Sequence, residues 1–527
     1  MWERSTIVRA FRWLFSWRGV RRMLIVLAWA VTIIGLFYGE ENWRGRRAWN
    51  QYRDAAAARG LSLDWSAYIP KPVPDDQNFA ATPFLKTFFQ TNRFILTNDL
   101  YQRADNNVFE TNSAKYKDKG RRHFTDLVAW QQAAAALRNG ELKRDQRFET
   151  DITDLAARAA AAPVILEGMK PDAAVFAELR AASSREYSRF PVVYDLENPW
   201  EIKLQYLAYV KQTVQPLNLE ACAELAAGQS DPALADVKLM LSLADSIKSE
   251  PFLIAYLVRA ACVRIAIQPV WEGLADHRWT DAQLKELQAR FSSYNFLGDV
   301  ERPLNAEQAV GTLTADLVSK KGIAYAERFG FFENNQEQFD AFIYVIAKVM
   351  PSGWYDREKL NYNKLFDSQF EGVVDLTART VSPRKAASDE HEVERQIFTG
   401  SWEGLKLYAI LHHRLMALVM LPGLRNIHAK AAIAQTAADQ AALACALERY
   451  RLANGQFPET LAALSPQFMA HAPNDVITGE PFKYRRTEDG QFILYSVGWD
   501  EKDDGGVPGK TLFDQTQGDW VWSYPAK

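Results

Sequence analysis

One stretch limits this chain more than any other. Met23–Gly39, "MLIVLAWAVTIIGLFYG", is 17 residues without a charge. A transmembrane helix needs about 17–25 such residues, so the run sits at the short end of the range. Trp17, Tyr38 and Trp43 lie near its two ends, where aromatic belts form at a membrane interface. Arg4, Arg9, Arg12, Arg18, Arg21 and Arg22 precede it, whereas Glu40 and Glu41 come before Arg44, Arg46 and Arg47 on the far side. The basic bias places the N-terminus inside and the bulk of the chain outside, with a margin narrowed by the arginines after Glu41. The expectation is a single-pass anchor in the cytoplasmic (inner) membrane, with residues 1–22 as a basic cytoplasmic segment and 23–39 as the span. "IVRAFRWLFSWRGVRR" mixes arginines with large apolar residues, a composition suited to an amphipathic helix on the anionic inner leaflet. The alternative is a cleaved signal peptide. The run is longer than a usual signal core, and its "AWA" triplet at Ala28–Ala30, the small-x-small pattern a cleavage site needs, falls inside it, too early for cleavage.

A chain of 527 residues exceeds one ordinary core, so two to four structural units are expected. With 48% hydrophobic and 24% charged residues it is a folding composition. Its net charge of −3 offers no global field for nucleic acid. Cys222, Cys262 and Cys445 lie far apart in apolar segments and read as small buried hydrophobes, neither a disulfide framework nor a zinc signature. Two further apolar stretches, "PFLIAYLVRAACVRIAIQPVW" and "LKLYAILHHRLMALVMLPGL", carry Arg259 and Arg264, and His412, His413 and Arg414. Central charges are expensive in lipid, so both read as buried helices of a folded domain.

Residues 40–124 read as a helix ended by Gly60, then a connector stiffened by Pro70, Pro72, Pro74 and Pro83. From 125 to 427 helix signals dominate. Asp231 reads as an N-cap with Pro232 at the first helical position, followed by a buried stripe of Leu234, Val237, Leu241, Ala244 and Ile247. Pro251 opens the next helix, and Thr280 with Gln283 forms a capping box. These are antiparallel helical pairs without a fixed period. No phosphate loop, nucleophile elbow or dinucleotide fingerprint is present. In "SDEHEVERQ", His391 stands among Glu390, Glu392 and Glu394 without the two-histidine zinc-protease spacing, and reads as the solvated start of a helix. A hydrolase centre combining His391 with Glu390 or Glu394 and distant residues is the alternative. "SEPFLIAYLVRAA" and "PVPDDQNFAATP" are similar to stretches of uncharacterised single-pass bacterial membrane proteins, a resemblance that implies no activity.

The last hundred residues, 428–527, hold a long helix closed by Gly455 and Pro458, then two short strands around Phe482–Arg485 and Gln491–Ser496 joined by a turn at Thr487–Gly490. An acidic loop follows, with Asp500, Glu501, Asp503 and Asp504 before Gly505 and Gly506. The order resembles the globular head of type II secretion major pseudopilins. The resemblance rests on "ALERYRLANGQFP" and on Pro473, Asp475, Thr478, Gly479, Pro481, Tyr484, Tyr495, Ser496, Gly498, Asp500, Gly505 and Gly506. It implies a calcium site in the acidic loop. Asp500 matches the family aspartate, a second ligand falls on Asp519 or Asp514, and Asp503 and Asp504 add carboxylates. A loop of carboxylates and free carbonyls suits calcium. It is no EF-hand, because the third and twelfth positions from Asp500 are Lys502 and Thr511. The alternative is a solvated acidic turn. The extra "EKDD" departs from the shorter family loop, and the apolar run lacks the family's glutamate and lies far from the head helix.

The expected fold is therefore mainly α, with a transmembrane helix, an irregular antiparallel helical domain and a small α+β head. The expected function is non-enzymatic binding or assembly in the bacterial envelope, with the bilayer and envelope or secretion proteins as partners. An envelope hydrolase and a true pseudopilin with an inserted domain are the rivals.

Overall fold

The computed structural model describes residues 13, 16–90, 96, 120–143, 146, 148, 150, 152–322, 325, 328, 348–397 and 412–525. Residues 7–12, 14 and 15 of "IVRAFRWLFSWRGVRR", and residues 398–411 before His412, lie outside them. The chain is mainly helical with two small antiparallel sheets. The helices are α1 (Trp17–Ala58), α2 (Pro83–Gln90), α3 (Leu127–Arg138), α4 (Leu155–Met169), α5 (Ala173–Ala182), α6 (Gln205–Ala226), α7 (Ser230–Asp245) and α8 (Leu253–Ala275). They continue with α9 (Asp281–Ser292), α10 (Phe296–Asp299), α11 (Glu301–Lys321), α12 (Ser352–Phe370), α13 (Pro383–Ile397), α14 (Leu415–Met420) and α15 (Ile427–Asn454). Strands β1 (Val374–Asp375) and β2 (Thr380–Val381) form one sheet; β3 (Lys483–Arg486), β4 (Phe492–Ser496) and β5 (Trp520–Ser523) form the other. The chain divides into two compact units. The first draws on Met1–Trp65, Gln308–Gln369 and Glu392–Gly423; the second on Ser66–Glu307, Phe370–His391 and Leu424–Lys527.

In the first unit, the expected anchor and the helix expected after it are one element. α1 runs 42 residues from Ser16, whose hydroxyl caps it by accepting from the Gly19 N–H at 3.1 Å. Glu40 and Glu41 do not stop it. Its apolar half is long enough to cross a membrane, and none of that window is buried. Its second half packs on α12, which runs in the same direction. The crossing point is two glycines: a Cβ on Gly45 would stand 2.1 Å from the Gly353 carbonyl oxygen, and one on Gly353 would stand 2.2 Å from that of Glu41. Around this contact, Asn42 accepts from the Gly353 N–H at 2.8 Å, and the Trp354 indole donates to Glu41 at 3.0 Å. Further along, Trp49 lies under the Lys359 ammonium, and the Tyr52 hydroxyl donates to Asp367 at 2.7 Å. His413 is buried with its ring 4.9 Å from that of Trp354, and burial beside Arg357 lowers it to about 4, a neutral packing residue as its apolar context suggested.

In the second unit, α8 is the hub and touches α6, α7 and α15, while α15 also lies along α9. α8 is the second helix long and apolar enough to cross a membrane, but 61% of that stretch is buried within the protein. Its Arg259 is satisfied by Asp245 at 2.8 Å and Asp299 at 2.7 Å, so it is the core helix its charges pointed to. The Thr280–Gln283 capping box is present. Two expected helix starts shift. α7 begins at Ser230, with Gln229 as the cap residue and Asp231 in the first turn; α8 begins at Leu253, two residues past Pro251. The three cysteines are buried and free.

The last hundred residues contain the expected long helix and hairpin, the first strand displaced by one residue and the second starting one residue later, plus β5 paired antiparallel to β4. The expected boundary at 427/428 does not make a separate head. α15 is buried on nearly every side from Ile427 to Glu448, and it packs within the same unit as α8 and α9. The sheet is tied in as well. The Gln440 amide donates to the Trp520 carbonyl at 2.7 Å, and the Trp271 indole donates to that of Ser523 at 3.0 Å.

Candidate metal centre

Helices α6 and α7 form a tight antiparallel pair. Gly228 adopts φ +77° in the turn between them, a conformation that suits a residue without Cβ. The Gln229 N–H closes the turn by donating to the Glu224 carbonyl at 2.8 Å. Glu220 and Glu224 are four residues apart, so they share one face of α6. That face meets Asp236 on α7. One carboxylate oxygen from each of the three lies within 4.8 Å of the others. Arg180, from α5, donates to Oδ1 of Asp236.

Asp236 is fully buried and Glu224 nearly so, at 7% exposure. Oδ2 of Asp236, Oε2 of Glu224 and Oε2 of Glu220 are buried without a hydrogen-bond partner. Three carboxylates against one guanidinium leave two negative charges in excess. Buried charge of one sign is expensive unless a counter-charge or protons neutralise it. Burial drives Glu220 and Glu224 well above the ordinary carboxylate range; Asp236 pushes both further, and Arg180 opposes it. Asp236 rises less, because Arg180 counters its burial.

Other buried charges in the same unit set the comparison. Glu272 accepts the Thr125 N–H at 2.7 Å, the Thr125 hydroxyl at 2.6 Å, the Gln268 amide at 2.8 Å, and an ion pair from Arg158. Its oxygens are spent, as a structural buried pair requires. The α6–α7 cluster has oxygens left over, all directed at one another. An all-oxygen set at this separation matches the hard divalent cations calcium, magnesium and manganese.

The residues singled out from sequence lie elsewhere. Asp500 accepts the Lys502 N–H at 3.2 Å, and Asp503 accepts the Tyr495 hydroxyl and the Gly505 N–H, each at 3.0 Å. Lys483 stands 3.4 Å from Asp503, and Glu501 pairs with Arg384 at 2.8 Å. Asp519 receives the Asp504 N–H on one oxygen at 3.3 Å and the Gly506 N–H on the other at 2.6 Å. Asp514 closes its own turn by accepting the Lys510 N–H at 3.0 Å and the Thr516 N–H at 2.8 Å. Among the described residues, these carboxylates do not form a three-ligand group; Glu220, Glu224 and Asp236 do. His391 and Glu394 are exposed on α13, and Glu390 accepts the Asn426 N–H at 3.1 Å.

None of the three cluster residues stands out in the sequence. The available signal was a pair of glutamates four apart inside the apolar "LNLEACAELAAG", and an aspartate beside Val237 in an otherwise buried stripe. Comparison with family models, curated proteins and solved structures returned no match.

Proposed function

We propose that this is a membrane-tethered binding protein of the bacterial envelope whose folded body holds a divalent cation between α6 and α7. One observation carries the cation: the carboxylates of buried Asp236 and Glu224 and half-buried Glu220 converge, each with one buried oxygen that lacks a hydrogen-bond partner. Glu220, Glu224 and Asp236 are the ligands, and Arg180 orients Asp236 through its other oxygen. The ion neutralises the excess charge and fastens α6 to α7. The tether rests on the exposed apolar half of α1 and the arginines before it, which favour an extracytoplasmic body. Binding to envelope or secretion proteins is the role that fits such a tethered body.

The cation is tested on the full chain in detergent. Metal content is measured after purification, and melting is followed with calcium, magnesium or manganese against a chelator. A ligand held only by the folded state at a hundred times its Kd adds about 2.7 kcal/mol. We expect such a rise in the wild type and in Asp500→Ala, and its loss in Glu224→Gln. A rise lost in Asp500→Ala but kept in Glu224→Gln would move the ion to the acidic loop. The tether has its own test. The protein is expected to resist alkaline carbonate extraction from membranes, and a C-terminal tag is expected to be removed by protease added to spheroplasts. Release into the carbonate supernatant, or a protected tag, contradicts the reading.

A further inference from the structure

The second unit also contains the opposite imbalance. Arg122 precedes α3, and Arg264 sits mid-way along α8. One helical turn beyond Arg264, the Gln268 side chain meets Arg122, whose Nη1 donates to Oε1 at 3.5 Å. The two guanidiniums are thereby brought to one place. Each lies over an aromatic ring of the C-terminal segment: Arg122 over Trp522 at 5.6 Å and Arg264 over Phe513 at 5.2 Å. Neither makes an ion pair with a carboxylate among the described residues, and Nε of Arg264 is buried without a partner. Nearby arginines of the same unit show what is missing. Arg158 pairs with Glu272, Arg180 with Asp236, and Arg259 with two aspartates.

Two like charges in a desolvated place repel and demand an anion. Burial lowers both guanidiniums, and Arg264 lowers Arg122 further, to about 9. Glu272, the carboxylate closest along α8, cannot serve, because its oxygens are taken by Arg158, Thr125 and Gln268. Guanidinium forks match the oxygens of a tetrahedral oxyanion, and two of them balance a phosphate dianion. Trp522 and Phe513 give each guanidinium an aromatic face to rest on without neutralising it.

We infer that Arg122 and Arg264, backed by Trp522 and Phe513, form a binding site for a phosphate group. The group comes from free phosphate or from a phosphorylated ligand. The experiment uses the full chain in detergent and titrates inorganic phosphate and, separately, glycerol phosphate, with sodium chloride at matched ionic strength as control. Melting temperature and calorimetric binding are the readouts. Phosphate is expected to raise the melting temperature saturably, and chloride is not. Arg264→Met and Arg122→Met keep an apolar stem over the ring and remove the fork; each is expected to abolish the response. A stronger effect of glycerol phosphate identifies an esterified ligand, and a stronger effect of inorganic phosphate identifies the free ion. A phosphate effect equal to that of chloride, or one surviving in Arg264→Met, overturns the site. The cation test above reads a different cluster, so either result stands without the other.

Discussion

Replacing Gly45 or Gly353 with alanine is expected to unseat α1 from α12 and to destabilise the first unit by about 3 kcal/mol or more, an overpacking cost at the upper end of the usual range. The new methyl group meets carbonyl oxygens of main chain, at 2.1 Å for Gly45 and 2.2 Å for Gly353, and main chain within a helix cannot swing aside. The sign makes the test sharp. In an isolated helix, glycine to alanine gains about 1 kcal/mol. Gly35 and Gly39, on the same helix, have nothing within 4 Å, so alanine there is expected to be neutral or stabilising. Melting of the four single variants in detergent checks this. Equal behaviour at all four positions would mean that α1 does not pack through Gly45.

The second large effect is a dependence on pH that a cation removes. Glu220 and Glu224 are raised above their unfolded values by burial and by Asp236. A carboxyl with a raised pKa binds its proton more tightly in the folded state. Its stabilising contribution is complete below the unfolded value, near 4.3, and is lost as pH climbs through the raised one into mildly alkaline solution. The groups facing this centre are Glu220 and Glu224 on α6, Asp236 on α7, Arg180 on α5, and Asp172, which also acts on Glu220. In chelator, stability is expected to fall between pH 6 and 9. Glu307, Glu358 and Asp439 are also raised by burial, so the wild-type slope alone mixes several sites. The difference between wild type and Glu224→Gln isolates the cluster. At pH 8 without metal, the variant is expected to be more stable by about 1–3 kcal/mol, one to two pKa units of relieved penalty. With calcium or manganese the order reverses, because the ion binds more strongly as the ligands lose their protons. An identical pH profile in the two proteins would remove the cluster from the account.

The parts of this structure that sequence revealed are those encoded within a few neighbouring residues. An uncharged run such as Met23–Gly39 excludes most alternatives by itself. The Thr280–Gln283 box and the β3–β4 hairpin are equally local. The carboxylate centre is not local. Glu220 and Glu224 alone look like the solvated edge of an alanine-rich helix, and only the return of α7 through Gly228 places Asp236 against them. The same limit hid the continuity of α1. Glu40 and Glu41 resemble a boundary, and nothing nearby announces that Gly45 will meet Gly353, three hundred residues later. The acidic loop is the reverse case, conspicuous in the sequence by its charges alone. In the fold Asp500 and Asp503 accept backbone N–H groups, Asp503 lies by Lys483, and Glu501 pairs with Arg384.

The unbroken course of α1 has a mechanical consequence. Folded protein grips the helix where the apolar run ends: the Tyr38 hydroxyl donates to the Val349 carbonyl, and Glu41, two positions past Gly39, accepts from the Trp354 indole. At 1.5 Å per residue that leaves a stalk of about 3 Å, with no hinge in it. If the apolar half lies in a bilayer, the first unit stands at headgroup height and keeps a fixed heading. Tilting or rotating the embedded rod would then turn that unit as a crankshaft turns its arm, whereas a flexible leash would let it drift.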